Sequence, residues 1–239
     1  MKRTLRLLFL LLILNSCTSE FKPATFKTSS IEKSFEADIS ATYDKAEGNS
    51  DLSEVINSNI KRSIISSLGV EGNMKDLYSV LADFNTEYLD FKKDFSDASE
   101  TIWELHIETE KTYQSAGIIT IAISTYQFKG GAHGSDVISF INLNAKTGEI
   151  LSLNEIIKNI GDFKGLAKTN FIKSLEIENE NLKMEDFFFG KPFQLPDNIG
   201  FTDDGLVLLY NIYEVATYNE GYTEFVIPFE DLESYLNFN

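Results

Sequence analysis

Hydrophobic residues recur at two different spacings along this chain, and the spacing separates helical segments from strands. Apolar residues between Leu52 and Leu68 follow one another at helical intervals behind the capping segment 49–51, which predicts a first helix that ends at Gly69. A second helical stripe, rich in aromatic residues, predicts another helix over 74–95. Each helix therefore has one apolar face with which to cover a core.

Alternating apolar and polar positions predict strands around these helices. Helix returns over 154–189, with Asn154 and Asp162 as expected caps, and again from Pro228 to Leu236. Turns rich in glycine, asparagine and aspartate separate many of the strands. The predicted strands are 32–44, 101–113, 118–128, 137–143, 149–153, 206–213 and 225–227. This order predicts an α+β fold, in which antiparallel sheets pack with helices in two closely joined halves.

The N-terminal segment has a pattern of its own, because an unbroken apolar run over 7–14 follows three basic residues. Such a run is too short for a helix across ~30 Å of hydrocarbon, which needs ~20 residues, but it matches the core of a secretory signal. The following sequence Leu14-Asn15-Ser16-Cys17 resembles a lipobox. We predict a lipoprotein signal peptide over 1–16 and lipid attachment at Cys17. The alternative is an ordinary cleavable signal with an incidental cysteine.

Lipidation at Cys17 places the protein in the cell envelope. Each buried CH₂ of an acyl chain such as palmitate contributes ~0.8 kcal/mol, and several chains together hold a protein stably in a membrane. Thr18 rather than aspartate follows the cysteine, which favours the periplasmic face of the outer membrane if the cell is Gram-negative. The Ser/Thr/Lys-rich segment 17–30 is interpreted as a lipidated tether.

The charge of the chain narrows the choice of partners. The net charge is −16, and removal of the signal, which contains basic but no acidic residues, makes the remainder still more negative. Such a chain is not expected to bind nucleic acid, whose phosphates attract Lys and Arg, and it favours a cationic partner. Solubility alone is the alternative reason for the charge. With its single cysteine lipidated, the protein has no disulfide.

The residues offer no clear catalytic or metal-binding motif. The two histidines, His106 and His133, lack the spacing of metal ligands, and a catalytic zinc ion needs three protein ligands. The segment 201–205 is similar to the TFDDG motif of polysaccharide deacetylases, but both histidines precede it, so we interpret it as a polar turn. No GxSxG sequence is present. We therefore predict no catalytic residue, no metal and no cofactor.

The sharpest local feature is a glycine-rich loop, with Gly130 and Gly131 on one side of His133 and Gly134 on the other. Glycines allow backbone paths that other residues resist. One interpretation is a ligand-facing loop with His133 at its tip. We favour the other, a tight connection in which His133 bonds a neighbouring backbone group or carboxylate, because no second polar cluster lies nearby in sequence.

Several runs carry a family resemblance. The segments 126–134 and 142–148, followed by 205–216 and 221–228, resemble the extracytoplasmic domain family of RsiV-type, lysozyme-sensing anti-sigma factors, a domain of unknown function. Asn144 departs from the aspartate that is usual in the family. The N-terminal part resembles the non-catalytic region of PdaC-type peptidoglycan deacetylases. The resemblance implies a PdaC-like half over 31–126 and an RsiV-like half over 127–239.

The resemblance also implies binding rather than catalysis, since the deacetylase domain and the signalling segments of those families have no counterpart here. We predict a non-enzymatic, membrane-anchored lipoprotein that binds a cationic, lysozyme-like protein or a peptidoglycan fragment. The alternatives are a cell-wall carbohydrate-active enzyme and a structural subunit of an envelope complex. The expected ligand-binding residues are Gly130, Gly131, His133, Glu214 and Tyr218, with Glu220 and Tyr222 beside them.

Overall fold

A computed structural model describes residues 22–31, 33–70, 76–95, 101–178, 184–217 and 221–238. The predicted signal peptide, Cys17, Tyr218 and Glu220 lie outside these ranges. The strands are β1 Phe26–Ser30, β2 Asp38–Ala46, β3 Glu104–Gln114, β4 Ile118–Phe128, β5 Ser135–Asn144, β6 Asn198–Thr202, β7 Gly205–Tyr210 and β8 Thr223–Pro228. The helices are α1 Asp51–Ser67, α2 Leu77–Asp94, α3 Leu153–Ile156, α4 Ile160–Glu178 and α5 Phe229–Leu232. No helix within these ranges is both long and apolar enough to cross a membrane.

The N-terminal half is built on a five-stranded sheet in the order β1-β2-β3-β4-β5. Neighbouring strands are antiparallel except β2 and β3, which are parallel. A parallel pair needs a crossover connection, and the crossover here contains α1 and α2. Ser50 caps α1 and Asp76 caps α2 through side-chain oxygens that accept backbone N–H groups.

The two helices cover one face of this sheet with a core rich in isoleucine. Their apolar stripes, predicted from the sequence, point at the strands because side chains three and four apart share a helix face. The core includes Ile56, Ile60, Ile64, Leu81, Phe84 and Tyr88 from the helices and Leu105, Ile107, Ile119, Ile121, Ile123 and Ile141 from the strands.

The C-terminal half is a three-stranded antiparallel sheet, β6-β7-β8, whose core is aromatic. Every residue of β7 is buried. Phe171 of α4 lies at the centre of the core, where its ring packs edge-on or tilted against a group of other rings. These rings belong to Phe187, Phe188, Phe193, Tyr210 and Phe225.

The second half lies against the outer face of the first sheet, the face that α1 and α2 leave uncovered. A Cβ on Gly200 of β6 would come within 2.4 Å of the Phe140 ring, so the two sheets are in direct contact there. The Asn142 side chain donates to the Ile199 carbonyl at 2.7 Å and accepts from Thr120 at 2.8 Å. The joint thus combines close packing with buried hydrogen bonds, and it leaves one end of the outer face open.

The α+β class with mostly antiparallel sheets is confirmed. Several predicted segments differ. Residues 26–30, expected in the tether, form edge strand β1, and 149–153 contribute only a bridge between Ile150 and Leu143. The expected division at 126/127 does not follow the sheets, because β5 completes the first one.

The predicted helix over 154–189 is interrupted. Ser152, rather than Asn154, begins α3 with a capping box, and the Asn159 side chain, rather than Asp162, caps α4 by accepting backbone N–H groups. After α4, two short 3₁₀ turns replace helix. The strand predicted over 206–213 ends at Tyr210, since Tyr213 adopts a left-handed φ of 70° in a turn.

Candidate functional site

The glycine-rich loop joins β4 to β5 at the open end of the first sheet. Gly130 and Gly131 have φ values of 87° and 108°, which L side chains rarely adopt, so both glycines are required by the backbone. Lys129 fixes the start of the loop, because its ammonium lies 2.6 Å from the Glu87 carboxylate and 5.4 Å from the Trp103 ring centre. The loop is therefore held in a defined shape.

The end of the loop is fixed by a ring. A Cβ on Gly134 would lie 2.4 Å from the Tyr126 ring, so only glycine fits between this loop and that side chain. The His133 side chain is exposed, and its Nδ1 lies 2.9 Å from the Gly134 carbonyl, which requires the proton on Nδ1. The predicted backbone bond of His133 is thus present, and it leaves the imidazole at the surface.

His133 also lines a cavity of about 360 Å³ at the junction of the two halves. The opposite wall is the segment 211–213, which follows β7. The Asn211 side chain holds this segment against β5, since it accepts from the Ile138 N–H and donates to the Ile138 carbonyl, both at 2.9 Å. The lining residues are Tyr126, His133, Gly134, Ser135, Asp136, Val137, Asn211, Ile212 and Tyr213. We call this space the His133 cavity.

Tyr213 lines the His133 cavity, and Tyr222 lies close to the Asp136 carboxylate in its wall. The Tyr213 side chain is 59% exposed, although its backbone is left-handed. The Tyr222 hydroxyl is shielded from solvent and has no hydrogen bond of good geometry with a described residue. Burial, together with the charge of the nearby Asp136 carboxylate, raises the pKa of Tyr222 to about 12.

Glu214 does not line the His133 cavity, although the sequence placed it in the same site. Its carboxylate accepts from the Asn211 N–H at 2.8 Å and faces a separate cavity of about 190 Å³, which Asp197 and Tyr210 also line. The residue is exposed as a whole, yet partial desolvation of its carboxyl group, aided by Asp197 and opposed by the Asn211 bond, raises the pKa of Glu214. Glu214 acts on the His133 cavity by fixing the turn that carries Tyr213.

Sequence reasoning missed a second polar site, centred on His106 of β3. Its Nδ1 lies 2.9 Å from the Ser40 hydroxyl, its Nε2 lies 3.6 Å from the Glu104 carboxylate, and its ring stacks on Tyr126 at 5.8 Å between centroids. These groups border a groove of about 240 Å³, which we call the His106 groove. Its lining residues are Ser40, Thr42, His106, Ile107, Glu108, Ser124 and Tyr126.

Part of the His106 groove was visible in the sequence. Alternation along β3 places Glu104, His106 and Glu108 on one face, as in any strand with a period of two. The contact with Ser40 was not visible, because it depends on the parallel pairing of β2 with β3. The structure thus gives His106 a serine partner that the sequence pattern did not indicate.

The two cavities share an acidic character. Neither has a lysine or arginine among its lining residues, while Glu108 and Asp136 supply carboxylates. In the described part of the chain, no group of three or more His, Cys, Asp or Glu residues is arranged to hold a metal ion. Asp136 is the one carboxylate that lines the His133 cavity, so the close pair that glycoside hydrolysis uses is not formed among its lining residues.

In a comparison with known protein families, each half of the chain matches a different family model. The family model described as "Deacetylase PdaC" matches residues 25–136 and the model "Protein of unknown function (DUF3298)" matches residues 144–230. The chain is therefore similar to one family model in its N-terminal part and to the other in its C-terminal part. The PdaC-like part of the predicted resemblance is confirmed, and the similarity to RsiV stays a prediction.

Two solved structures have the same fold. A DUF3298 family member from Bacteroides fragilis superposes with a TM-score of 0.69 at 18% identity, and one from Pseudomonas aeruginosa superposes with a TM-score of 0.65 at 19% identity. Each alignment covers 91% of this chain and 96% of the other. No curated protein matches the chain.

Proposed function

We propose that this protein is a lipid-anchored envelope protein that binds a cationic, lysozyme-like protein at the His133 cavity. The observation that supports binding there is the construction of the cavity, whose walls come from both halves and are held together by the paired Asn211–Ile138 bonds. A rigid concave surface loses little entropy when a partner docks.

Charge supports a cationic partner. The chain carries a net charge of −16, and the residues that line the cavity include Asp136 but no lysine or arginine. A field of one sign speeds the encounter with a partner of the opposite sign and weakens as salt is added. The exposed Tyr213 ring supplies the kind of aromatic contact that dominates many protein interfaces.

Calorimetry with the full-length protein in neutral detergent tests binding, with lysozyme and soluble muropeptides as separate titrants. We expect heat with lysozyme, which decreases as the salt concentration rises. If only the muropeptides release heat, the ligand is a wall glycan rather than a protein. No heat with either titrant would contradict the proposal.

Variants locate the interaction. Tyr213→Ala should weaken lysozyme binding by about tenfold, equivalent to roughly 1.4 kcal/mol, because an interface aromatic is lost. Tyr78→Ala, which removes a tyrosine that is 37% exposed on α2, is the matched control and should leave the affinity unchanged. Equal weakening by both variants would contradict the assignment to this cavity.

The anchor has its own test. We expect radiolabelled palmitate on the processed chain and its loss in Cys17→Ser, since thioether-linked lipid needs the thiol. A Cys17→Ser protein that stays in the membrane fraction after an alkaline wash would contradict lipid anchoring.

A further inference from the structure

The open end of the first sheet carries a row of polar and aromatic side chains that crosses four strands. The row contains one residue from each of the strands β2 to β5, and each residue is paired with the one on the next strand. These residues are Ser40, His106, Tyr126 and Asp136. Directly paired residues project from the same face of a sheet. With neighbouring strands ~4.8 Å apart, the row is roughly 14 Å long.

Tyr126 makes this row continuous. It lines both the His106 groove and the His133 cavity, and its ring stacks on His106 at an interplanar angle of 9° while it also touches Gly134. A ring held by these contacts cannot turn aside without moving the loop. The two spaces therefore form one groove with a fixed centre.

The outer face is uncovered along this row and at Glu108 beside it. The other end is covered by β6, where Asn142, Thr120 and Gly200 make the joint between the halves. The uncovered part thus begins where the joint ends, and the His133 cavity lies at the boundary. A partner seated in the His133 cavity has the His106 groove directly beside it.

The side chains along the groove indicate which kind of ligand it binds. Glu108 and Asp136 line it, Glu104 lies beside His106, and hydroxyl groups of Ser40 and Ser124 add hydrogen-bonding capacity. Among the described residues, no lysine or arginine lines either part. An anionic ligand would be repelled, whereas arginine or lysine side chains would find carboxylates at several points.

From this geometry we infer that the partner contributes an elongated basic segment, which lies across the strands from the His133 cavity to the His106 groove. An extended peptide advances ~3.3 Å per residue, so the row accommodates at least about four residues. The inference rests on the proposed function, since it concerns the same partner, and it adds a second contact region on the N-terminal half.

Paired variants on one strand test the extended contact. Glu108 lines the His106 groove, and Glu110 is exposed two residues further along β3 without lining it. Both Glu108→Gln and Glu110→Gln remove one negative charge, so a general field effect is the same for both. We expect Glu108→Gln to weaken lysozyme binding by about fivefold and Glu110→Gln by less than twofold.

Short peptides test the required length. A hexapeptide of alternating arginine and serine should bind the full-length protein at least tenfold more tightly than the Arg-Ser dipeptide, and His106→Ala should reduce the affinity of the hexapeptide but not of the dipeptide. A chitin tetramer is the neutral probe of similar length and should not compete with the hexapeptide.

The outcomes separate the two proposals. If Tyr213→Ala weakens lysozyme binding while Glu108→Gln behaves like Glu110→Gln, the elongated segment is wrong and the cavity assignment stands. If the chitin tetramer displaces the hexapeptide, the basic nature of the occupant is wrong. If neither lysozyme nor the hexapeptide binds, both proposals fail.

Discussion

The two halves of this protein build their cores in different ways. The N-terminal half covers one face of a five-stranded sheet with two helices and fills the space with isoleucine, whereas the C-terminal half surrounds a three-stranded sheet with aromatic rings on one side and the neighbouring sheet on the other. The second half thus uses the first sheet as one of its packing partners. The first half does not need the second in the same way, and the face it leaves open carries the candidate site.

A substitution in the aromatic core is the strongest test of this difference between the halves. Phe171→Ala removes the central ring and should destabilise the fold by about 3–5 kcal/mol. Trp103, the single tryptophan, lies in the core of the N-terminal half, so its fluorescence reports that half while far-UV circular dichroism reports both. In urea we expect the dichroism midpoint to fall further than the fluorescence midpoint.

Ile121→Val in the N-terminal core is the matched change for Phe171→Ala. It should cost about 0.5–1.5 kcal/mol and shift both signals together, because the second half follows when its packing partner unfolds. Coincident midpoints in Phe171→Ala would show that the halves depend on each other equally.

The buried hydrogen bonds between the two sheets make the next largest contribution to stability. Asn142→Ala removes the donor to the Ile199 carbonyl and the acceptor of the Thr120 hydroxyl, which should cost roughly 1–3 kcal/mol in urea denaturation. Thr120→Val completes a double-mutant cycle. We expect the double variant to be less destabilised than the sum of the single variants, and strict additivity would contradict a coupled joint.

A substitution that disturbs the close packing between the two sheets should reduce stability by a similar or slightly smaller amount. Gly200→Ala places a methyl group against the Phe140 ring and should destabilise the protein by about 1–2 kcal/mol. Gly165→Ala is the control, because its Cβ on α4 meets nothing within 4 Å, and it should stabilise the protein by about 0.5 kcal/mol. A neutral Gly200→Ala would show that the sheets separate at low cost.

The smallest effects concern two aspartates of the N-terminal half with opposite responses to pH. Burial raises the pKa of Asp44 despite its bond from the Lys111 N–H, whereas hydrogen bonds from Ser79 lower the pKa of Asp76. The raised group favours the fold most below its unfolded pKa and loses this contribution as pH rises. The lowered group favours the fold above its unfolded pKa and loses this contribution as pH falls.

Substitution by asparagine should therefore act in opposite directions. Relative to the wild-type chain, Asp44→Asn should gain stability as the pH rises from acid to neutral, and Asp76→Asn should lose stability over the same range. Because asparagine still caps α2, the change in Asp76→Asn reports the lost charge rather than a lost cap. Urea midpoints at several pH values measure both changes. Parallel curves for the two variants would contradict the assigned directions.

Patterns within single elements predicted much of this fold. Alternation located β4, and helical spacing with Ser50 and Gly69 located α1, because these elements depend on nearby residues. The helix over 154–189 was predicted too long, since no local sequence pattern indicates the left-handed backbone of Phe188 and Phe189. The Phe188 ring packs against Phe171, which lies far from it in the sequence. Strand β1 was missed because its residues are polar and it pairs at an edge.

The candidate site was predicted only in part for the same reason. Gly130, Gly131 and His133 stood out because glycines around a histidine form a local pattern. The His106 groove depends on contacts between distant residues, such as Ser40 with His106. Glu214 faces a cavity separate from that of His133, because its direction depends on the Asn211 turn.

The single parallel strand pair also bears on how the molecule folds. Strands β3, β4 and β5 are consecutive hairpins that can form from neighbouring residues, but β2 reaches β3 only after the crossover has closed, which brings together residues 66 positions apart. Closing a long loop is slow compared with forming a hairpin. We therefore expect the serine–histidine contact to appear late in refolding, after the rest of the first sheet.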